Sequence, residues 1–467
     1  MSNPTSKNPR VFDPRHFGAR GDGLALDTAA LQAAIDACGE AGGGCVVVPP
    51  GRYLIAPIDL RSHVTLHLEA GATLLGTPER PHYRLVTRRY SGTTQLTIDA
   101  LVNAVDCERV AITGRGTVDG QGEAFWKPIR DYYAVPKEKR PPPQPMPTRP
   151  EEVQRSIWHR PRLVEFERCR DVRVEGVTLQ NSGFWNLHLI SCDVARVEGV
   201  NLRNPPGACN GDGIDLDSCR NVFVLGCDLD VNDDCICLKS GWNEAGLGPT
   251  ENVVIANCVT RRGHGGVVIG SDMSGGVRNV TVSNCLFIGT ETGFRMKSMR
   301  GRGGLVENLL ASNVVMDRVP HPFHFDMHYA RPMPPEPLSE RTPRFRNFSF
   351  HQVEATGAEQ AAYLHGLEEC PLEGVRMVGV RIAARKAFWA RHVAALELQD
   401  VRLACEEGPE LQVEDGRDLR VHRLEVAAPR SAGPSIRFTR IRGASLSRDS
   451  AGSVQRVEPP EGEGLGG

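Results

Sequence analysis

This 467-residue chain predicts an all-β fold, a solenoid in which short parallel strands coil into a parallel β-helix with a short N-terminal capping helix. Three observations carry that expectation. First, one motif recurs as Asn221-Val-Phe-Val-Leu-Gly-Cys227, Asn252-Val-Val-Ile-Ala-Asn-Cys258 and Asn279-Val-Thr-Val-Ser-Asn-Cys285, with looser copies from Asp171, Asn308, Asn347 and Asp418. Its clearest copies lie about 27 to 31 residues apart, a spacing that signals stacked repeats. Second, each copy alternates apolar and polar residues, bends over one or two positions and resumes, with no helical periodicity between copies. Third, 49 glycines and 33 prolines make up nearly a fifth of the chain, which suits many short elements and corners. A β-sandwich is the competing architecture. Recurrence in register over more than half the chain favours the solenoid.

The elements follow in order. Asp27 stands as the N-cap of a helix whose Leu31, Ala34, Ile35 and Cys38 share one face, and Gly39 with Gly42-Gly43-Gly44 ends it. The strand Cys45 to Val48, the turn Pro49-Pro50-Gly51 and the alternating run Val64 to Leu68 complete an N-terminal cap and first coils over 11–85. Residues 86–430 read as the parallel β-helix, one continuous domain with that cap. Pro136 to Pro150 is too proline-rich for a sheet interior and reads as a loop thrown out from one coil. From 431 to 467 the pattern fades, and the glycine-rich end is expected to be disordered. Asparagine at the head of each copy is expected to bond its neighbours in adjacent coils, while Val, Ile and Cys fill the interior.

Charge and cysteine usage narrow the function. A formal net charge of -2 gives no basic field for nucleic acid or an anionic membrane, so an anionic substrate needs locally placed Arg or Lys. No apolar run is long enough to span a bilayer, and Met1 to Arg10 lacks the apolar core of a secretory leader. The 14 cysteines show no CxxC pairs or zinc-finger spacing. They are expected to be reduced core residues in a cytoplasmic protein, with no metal and no cofactor implied.

Four polar segments interrupt the apolar units: Asn210-Gly-Asp212, Asp233-Asp-Cys235, Gly263-His-Gly265 and Arg295-Met-Lys297. Steps of 21, 31 and 31 residues separate Asp212, Asp233, His264 and Arg295, about one coil each, so they are expected to stack on one face. Within Cys235-Ile-Cys-Leu-Lys239, alternation counted back from Ile236 would turn Asp234 inward, at heavy cost for a carboxylate. The strand is therefore expected to begin after Asp234. Three carboxylates, one imidazole and two cations suit hydrolysis of a glycosidic bond in an acidic polysaccharide. Crowded acids can divide the donor and base tasks, while fixed Arg and Lys recognise a sugar carboxylate.

On these motifs the chain resembles glycoside hydrolase family 28, the polygalacturonase-like enzymes of bacterial type, over about residues 11 to 430. Phe17-Gly-Ala-Arg-Gly-Asp22, Gly120-Gln-Gly122 and Asn181-Ser-Gly-Phe-Trp185 add to the likeness. The resemblance implies a right-handed, single-stranded β-helix of the pectin-lyase-like kind and inverting hydrolysis of α-1,4-galacturonosyl bonds. Asp233 would be the general acid, Asp212 and Asp234 would activate water, and His264 would support the acid. Arg295 and Lys297 would bind the galacturonate carboxylate, with Asn210 and Tyr329 as further substrate contacts. Two departures stand out: Gly211 replaces the family's threonine, and Arg261-Arg262 occupy the place where fungal members carry a cysteine to pair with that of the Asp-Asp-Cys segment. Cys235 is therefore expected to be unpaired. His188 reads as structural, and Trp185 as either a sugar platform or core cover.

The substrate is expected to be polygalacturonate or its oligomers, with exo action slightly favoured over endo because a cytoplasmic enzyme would meet imported oligomers rather than whole pectin. Family resemblance links exo attack to blocked grooves, and the loop 136–160 and the insert 242–250 are two features able to block one. Rhamnogalacturonan or xylogalacturonan hydrolysis, a Ca²⁺-dependent pectate-lyase-like elimination and a non-catalytic glycan-binding solenoid are the alternatives.

Overall fold

The computed structural model describes residues 10–142, 147–244, 246, 248–330, 333–427, 433–447 and 453–457. They divide into two compact units at the Asp233–Asp234 bond. Both are stacks of parallel strands, each strand pairing with its counterpart one coil along the sequence, and the fold is a parallel β-helix. No helix among the described residues is long and apolar enough to cross a membrane.

In the first unit three strand families run from coil to coil. Val102–Val105, Val164–Glu167, Leu187–Ile190 and Ile214–Asp217 pair in series. So do Arg170–Glu175, Asp193–Glu198 and Arg220–Leu225, and likewise Thr178–Gln180, Asn201–Arg203 and Asp228–Asp230. Residues in register are chemically alike: Val164, Leu187 and Ile214 line up, as do Val172, Ala195 and Val222, and all are buried. Each large aliphatic side chain removed from water this way contributes about 1.5–3 kcal/mol. The helix Thr28–Glu40 buries Leu31, Ala34, Ile35 and Cys38 completely against the first strands. Asp27 does not cap it through its side chain; the carboxylate accepts the backbone N–H groups of Arg20 and Gly21 at 2.7 and 3.0 Å instead, tying down the preceding turn.

Among the described residues, the exception to parallel order is an antiparallel hairpin, Leu85–Tyr90 with Thr93–Ile98. It lies over the outward positions of the first strand family. Arg88 donates to Glu165 at 2.8 Å and to Asn103 at 3.0 Å, and Arg89 donates to Asp217 at 2.6 Å. Beneath it Glu165, His188 and Asp217 are buried although they point away from the core. Around the expected loop, two short helices, Glu123–Ala134 and Pro150–Arg155, flank the proline-rich run.

In the second unit Asp234–Lys239, Gly265–Ile269, Thr292–Lys297, His321–Asp326 and the end of Arg344–His365 form one sheet. Phe294, Phe323 and Phe350 pack inside it, with Phe294 and Phe323 stacked at 5.9 Å. The repeat asparagines do bond across coils: Asn279 donates to Asn252 and Asn308 to Asn279, both at 3.1 Å, and Asn347 to Asn308 at 3.3 Å. Each sits at a bend with φ between 56° and 61°, a left-handed conformation that asparagine tolerates better than most residues. Cys227, Cys258 and Cys285 are buried, as the repeat implied. Residues 436–446, expected to lack structure, form the strand Ile436–Leu446 on Leu411–His422, because Ile436 and Phe438 continue the buried face. The final glycine-rich residues lie outside the described residues.

Candidate active site

The predicted residues form two sets, one in each unit. In the first unit Asp212 lies just ahead of the strand Ile214–Asp217 and is buried, its backbone carbonyl accepting from the Asn186 backbone and side-chain amides at 3.0 and 2.8 Å. The glycine before it is a requirement of packing: a Cβ on Gly211 would lie 2.4 Å from Asn204 Nδ2 and 2.9 Å from the Ala208 carbonyl. Asn210 is exposed with φ of 53° and reaches Asp233 Oδ2 at 3.5 Å, the outer limit of a hydrogen bond.

Arg160, which sequence reasoning did not single out, organises this set. It is 2% exposed and donates to Asn210 Oδ1 and to the Cys209 carbonyl, both at 2.6 Å, and to the Gly183 carbonyl at 3.2 Å. Burial pushes its pKa down, while Asp212 and Asp233 are near enough to pull it back up. Its place at the end of the proline-rich segment gave no motif by which to find it.

Trp185 belongs to the cover of the core. It is 4% exposed and stacks on Phe184 at 4.8 Å, which stacks in turn on Tyr90 of the hairpin at 4.8 Å. His188 is structural too, with Nδ1 at 3.1 Å from Glu165.

In the second unit the structure corrects the expected start of the Asp-Asp-Cys strand. Asp234 is the first residue of Asp234–Lys239 and is 1% exposed. The alternation assumed from Ile236 does not carry through Cys235. The Asp234 carboxylate meets the outward side chains instead, with Lys297 Nζ at 2.7 Å, Cys237 Sγ at 3.5 Å and Arg295 Nη1 at 3.7 Å. Burial alone would push Asp234 up, but Lys297, Lys239 and Arg295 outweigh it and hold the carboxyl well below the usual carboxylate range. Lys297, also buried, is held above the usual lysine range because Asp234 outweighs its desolvation. Lys297, Lys239 and Arg295 together keep Asp234 ionised and gather positive charge at this place.

Lys239 was missed by sequence reasoning. Its signal was position, two residues beyond Cys237 on the face that carries Arg295 one coil pair away. Gly270 makes room for it: a Cβ there would come within 2.9 Å of Cys237 Sγ and 3.4 Å of Lys239 Nζ.

His264 is partly exposed, with Nε2 3.7 Å from Glu291, and its backbone carbonyl accepts from Thr292 Oγ1 at 2.6 Å. Gly265 after it is again forced, since a Cβ would meet Thr292 Oγ1 at 2.7 Å. The Tyr329 ring lies 5.7 Å from Lys297 Nζ. His324, next to Arg295 in register, is driven down to about 4 by burial and by Arg295, so it is neutral near pH 7.

The chain resembles known proteins. The profile described as Glycosyl hydrolases family 28 matches residues 151–428, and one described as Rhamnogalacturonase A/epimerase, pectate lyase-like, matches 12–99. A probable polygalacturonase of Vitis vinifera is 29% identical over 398 residues, covering 80% of this chain and 75% of the relative. The exo-poly-alpha-D-galacturonosidase of Dickeya chrysanthemi is 28% identical over 349 residues, covering 68% of this chain and 56% of its own length. Among solved structures, the hyperthermoactive exopolygalacturonase from Thermotoga maritima superposes with a TM-score of 0.69 at 28% identity, covering 90% of this chain and 93% of that one.

Proposed function

The chain belongs to glycosyl hydrolases family 28, and from that premise we propose that it hydrolyses α-1,4-galacturonosyl bonds of polygalacturonate or its oligomers, with inversion and from a chain end. The observation that carries the substrate class is the gathering of Lys297, Lys239 and Arg295 at Asp234, where cations of this kind can also hold a galacturonate carboxylate.

Asp233 gives its proton to the leaving glycosidic oxygen, while Asp212 and Asp234 activate the attacking water on the opposite face of the ring, one of them accepting its proton as the water oxygen bonds the anomeric carbon and the glycosidic bond breaks. Asp234 suits the base role because its neighbours keep it ionised. His264 supports the acid, while Arg295 and Lys297 hold the carboxylate next to the scissile bond. Asn210, fixed by Arg160, and Tyr329, beside Lys297, complete the contacts to substrate.

Exo action is supported by the hairpin. Leu85–Ile98 covers the outward face of Val164–Glu167, Leu187–Ile190 and Ile214–Asp217, so a polysaccharide has no path across that face. The named relatives with exo activity point the same way. The test is product analysis on polygalacturonate and trigalacturonate, with NMR following the anomeric configuration. Galacturonate monomer released with inversion is expected. Retention of configuration, or an unsaturated product that vanishes with chelator, overturns the mechanism, and mid-chain cleavage overturns exo attack.

A further inference from the structure

One exposed aromatic in the second unit is built as a platform. Trp242 follows the strand Asp234–Lys239 by three residues and is 38% exposed, whereas the guanidinium beneath it, that of Arg302, is 8% exposed. The guanidinium carbon lies 3.7 Å from the indole centroid, a face-on contact. Arg302 Nη1 is 3.4 Å from Asp272 Oδ1, and its Nε is buried without a hydrogen-bond partner. One indole face is thus backed by a held cation, while the residue as a whole stays exposed.

The backbone under Trp242 is pinned as well. Ser274 and Gly275 donate their N–H groups to the carbonyls of Gly241 and Ser240, both at 3.0 Å, and Ser274 Oγ donates to Asn243 Oδ1 at 3.1 Å. Backbone bonds connect the platform to the proposed carboxylate site: Arg302 donates its N–H to the Met299 carbonyl at 3.1 Å and Tyr329 to the Ser298 carbonyl at 2.9 Å, just beyond Lys297, and the Tyr329 ring is 5.7 Å from Lys297 Nζ. Leaving a rigid indole in water wastes the burial of a large apolar surface, and the hydrogen-bearing face of a pyranose ring is a flat apolar partner for it.

We propose that Trp242 is a stacking platform for the sugar ring bound beside Arg295 and Lys297, with Arg302 as the residue that positions it. This rests on the galacturonate reading of that site. Trp242→Ala is expected to raise KM for trigalacturonate about three- to tenfold with kcat changed less than about twofold, and Trp242→Phe to recover most of the loss. Arg302→Met, which removes the backing cation, shifts KM the same way. Binding is read separately in the Asp233→Asn background, where trigalacturonate is expected to quench tryptophan fluorescence and the quench to disappear on adding Trp242→Ala. If wild type releases galacturonate but Trp242→Ala keeps both its KM and the quench, the platform is overturned while the hydrolase reading stands. If wild type neither cleaves nor binds trigalacturonate, the hydrolase reading falls and the platform with it. The thermal midpoint of each variant shows that a KM change is not a folding defect.

Discussion

Two buried polar clusters occupy outward positions on the sheets of this molecule, and they are built on opposite rules. In the first unit Glu165 meets Arg88 at 2.8 Å, Arg162 at 3.0 Å and His188 at 3.1 Å, while Asp217 meets Arg89 at 2.6 Å. A hairpin seals those charges, and the Glu165, Arg162 and His188 side chains are fully buried. In the second unit Asp234 faces Lys297, Lys239 and Arg295, and the Arg295 side chain stays 19% exposed. A sealed cluster has no route to solvent and holds structure. One that reaches solvent can meet a molecule arriving there, and partial burial strengthens the attraction because less water screens it.

The largest effect that can break this comparison is chemical. Asp234→Asn should lower kcat on the order of a thousandfold, as loss of a general base does, with the fold retained by circular dichroism. A variant that keeps its rate would move the cluster to the structural side. Next, Glu165→Gln should leave kcat/KM nearly unchanged but cost about 3–5 kcal/mol in urea unfolding, because Arg162 and His188 then lack their buried counter-charge. A loss of rate without loss of stability would reverse the assignment.

The sealed cluster also sets a pH dependence. Burial pushes Glu165 up, but Arg162 and His188 hold it well below its usual range; burial pushes His188 down, but Asp217 and Glu165 hold it above. The Glu165 contribution is therefore present above its unfolded value of about 4.3 and lost as pH falls through its lower folded value. The His188 contribution is present below about 6.5 and lost as pH rises through its higher folded value. A thermal midpoint that declines at both ends is expected, with His188→Gln flattening the alkaline decline. Smallest is the exposed asparagine ladder, which belongs to neither cluster. Asn279→Ala should cost about 1–2 kcal/mol, from strain at its positive φ, and Asn279→Gly less, measurable as a shifted denaturation midpoint.

The coil architecture was legible because its physics repeats: the same bend needs the same asparagine, and the same interior position takes Val, Ile or Cys. Segments such as Arg295-Met-Lys297 were legible because alternation put both cations on one face. The reading of Asp234 failed at the same point where alternation failed. It weighed the desolvation of a carboxylate without the lysine that arrives 63 residues later, at 2.7 Å. Arg160 and the hairpin arginines were invisible for a related reason. Asn210 lies 50 residues from Arg160, Glu165 77 from Arg88 and Asp217 128 from Arg89, and a lone arginine in a loop carries no period to mark it. Gly211 looked like a lapse from the family pattern, yet it is dictated by Asn204, another residue outside any motif.

The hairpin also bears on the order of folding. Most pairings in the first unit join a strand to the next coil, so coils can add one upon another, each closing a loop of similar entropy. The hairpin closes on itself locally, but its docking is not local: Arg88 reaches 77 residues ahead to Glu165 and Arg89 reaches 128 ahead to Asp217. Its full set of ion pairs, with Glu165 and then Asp217, cannot form until the coils through Asp217 exist. Leu85–Ile98 is thus placed to act as a latch that shuts last, and its amides should be the last in the unit to gain protection in pulsed hydrogen exchange during refolding. The element that closes the face to a polysaccharide is, on this account, also the one that marks the unit as finished.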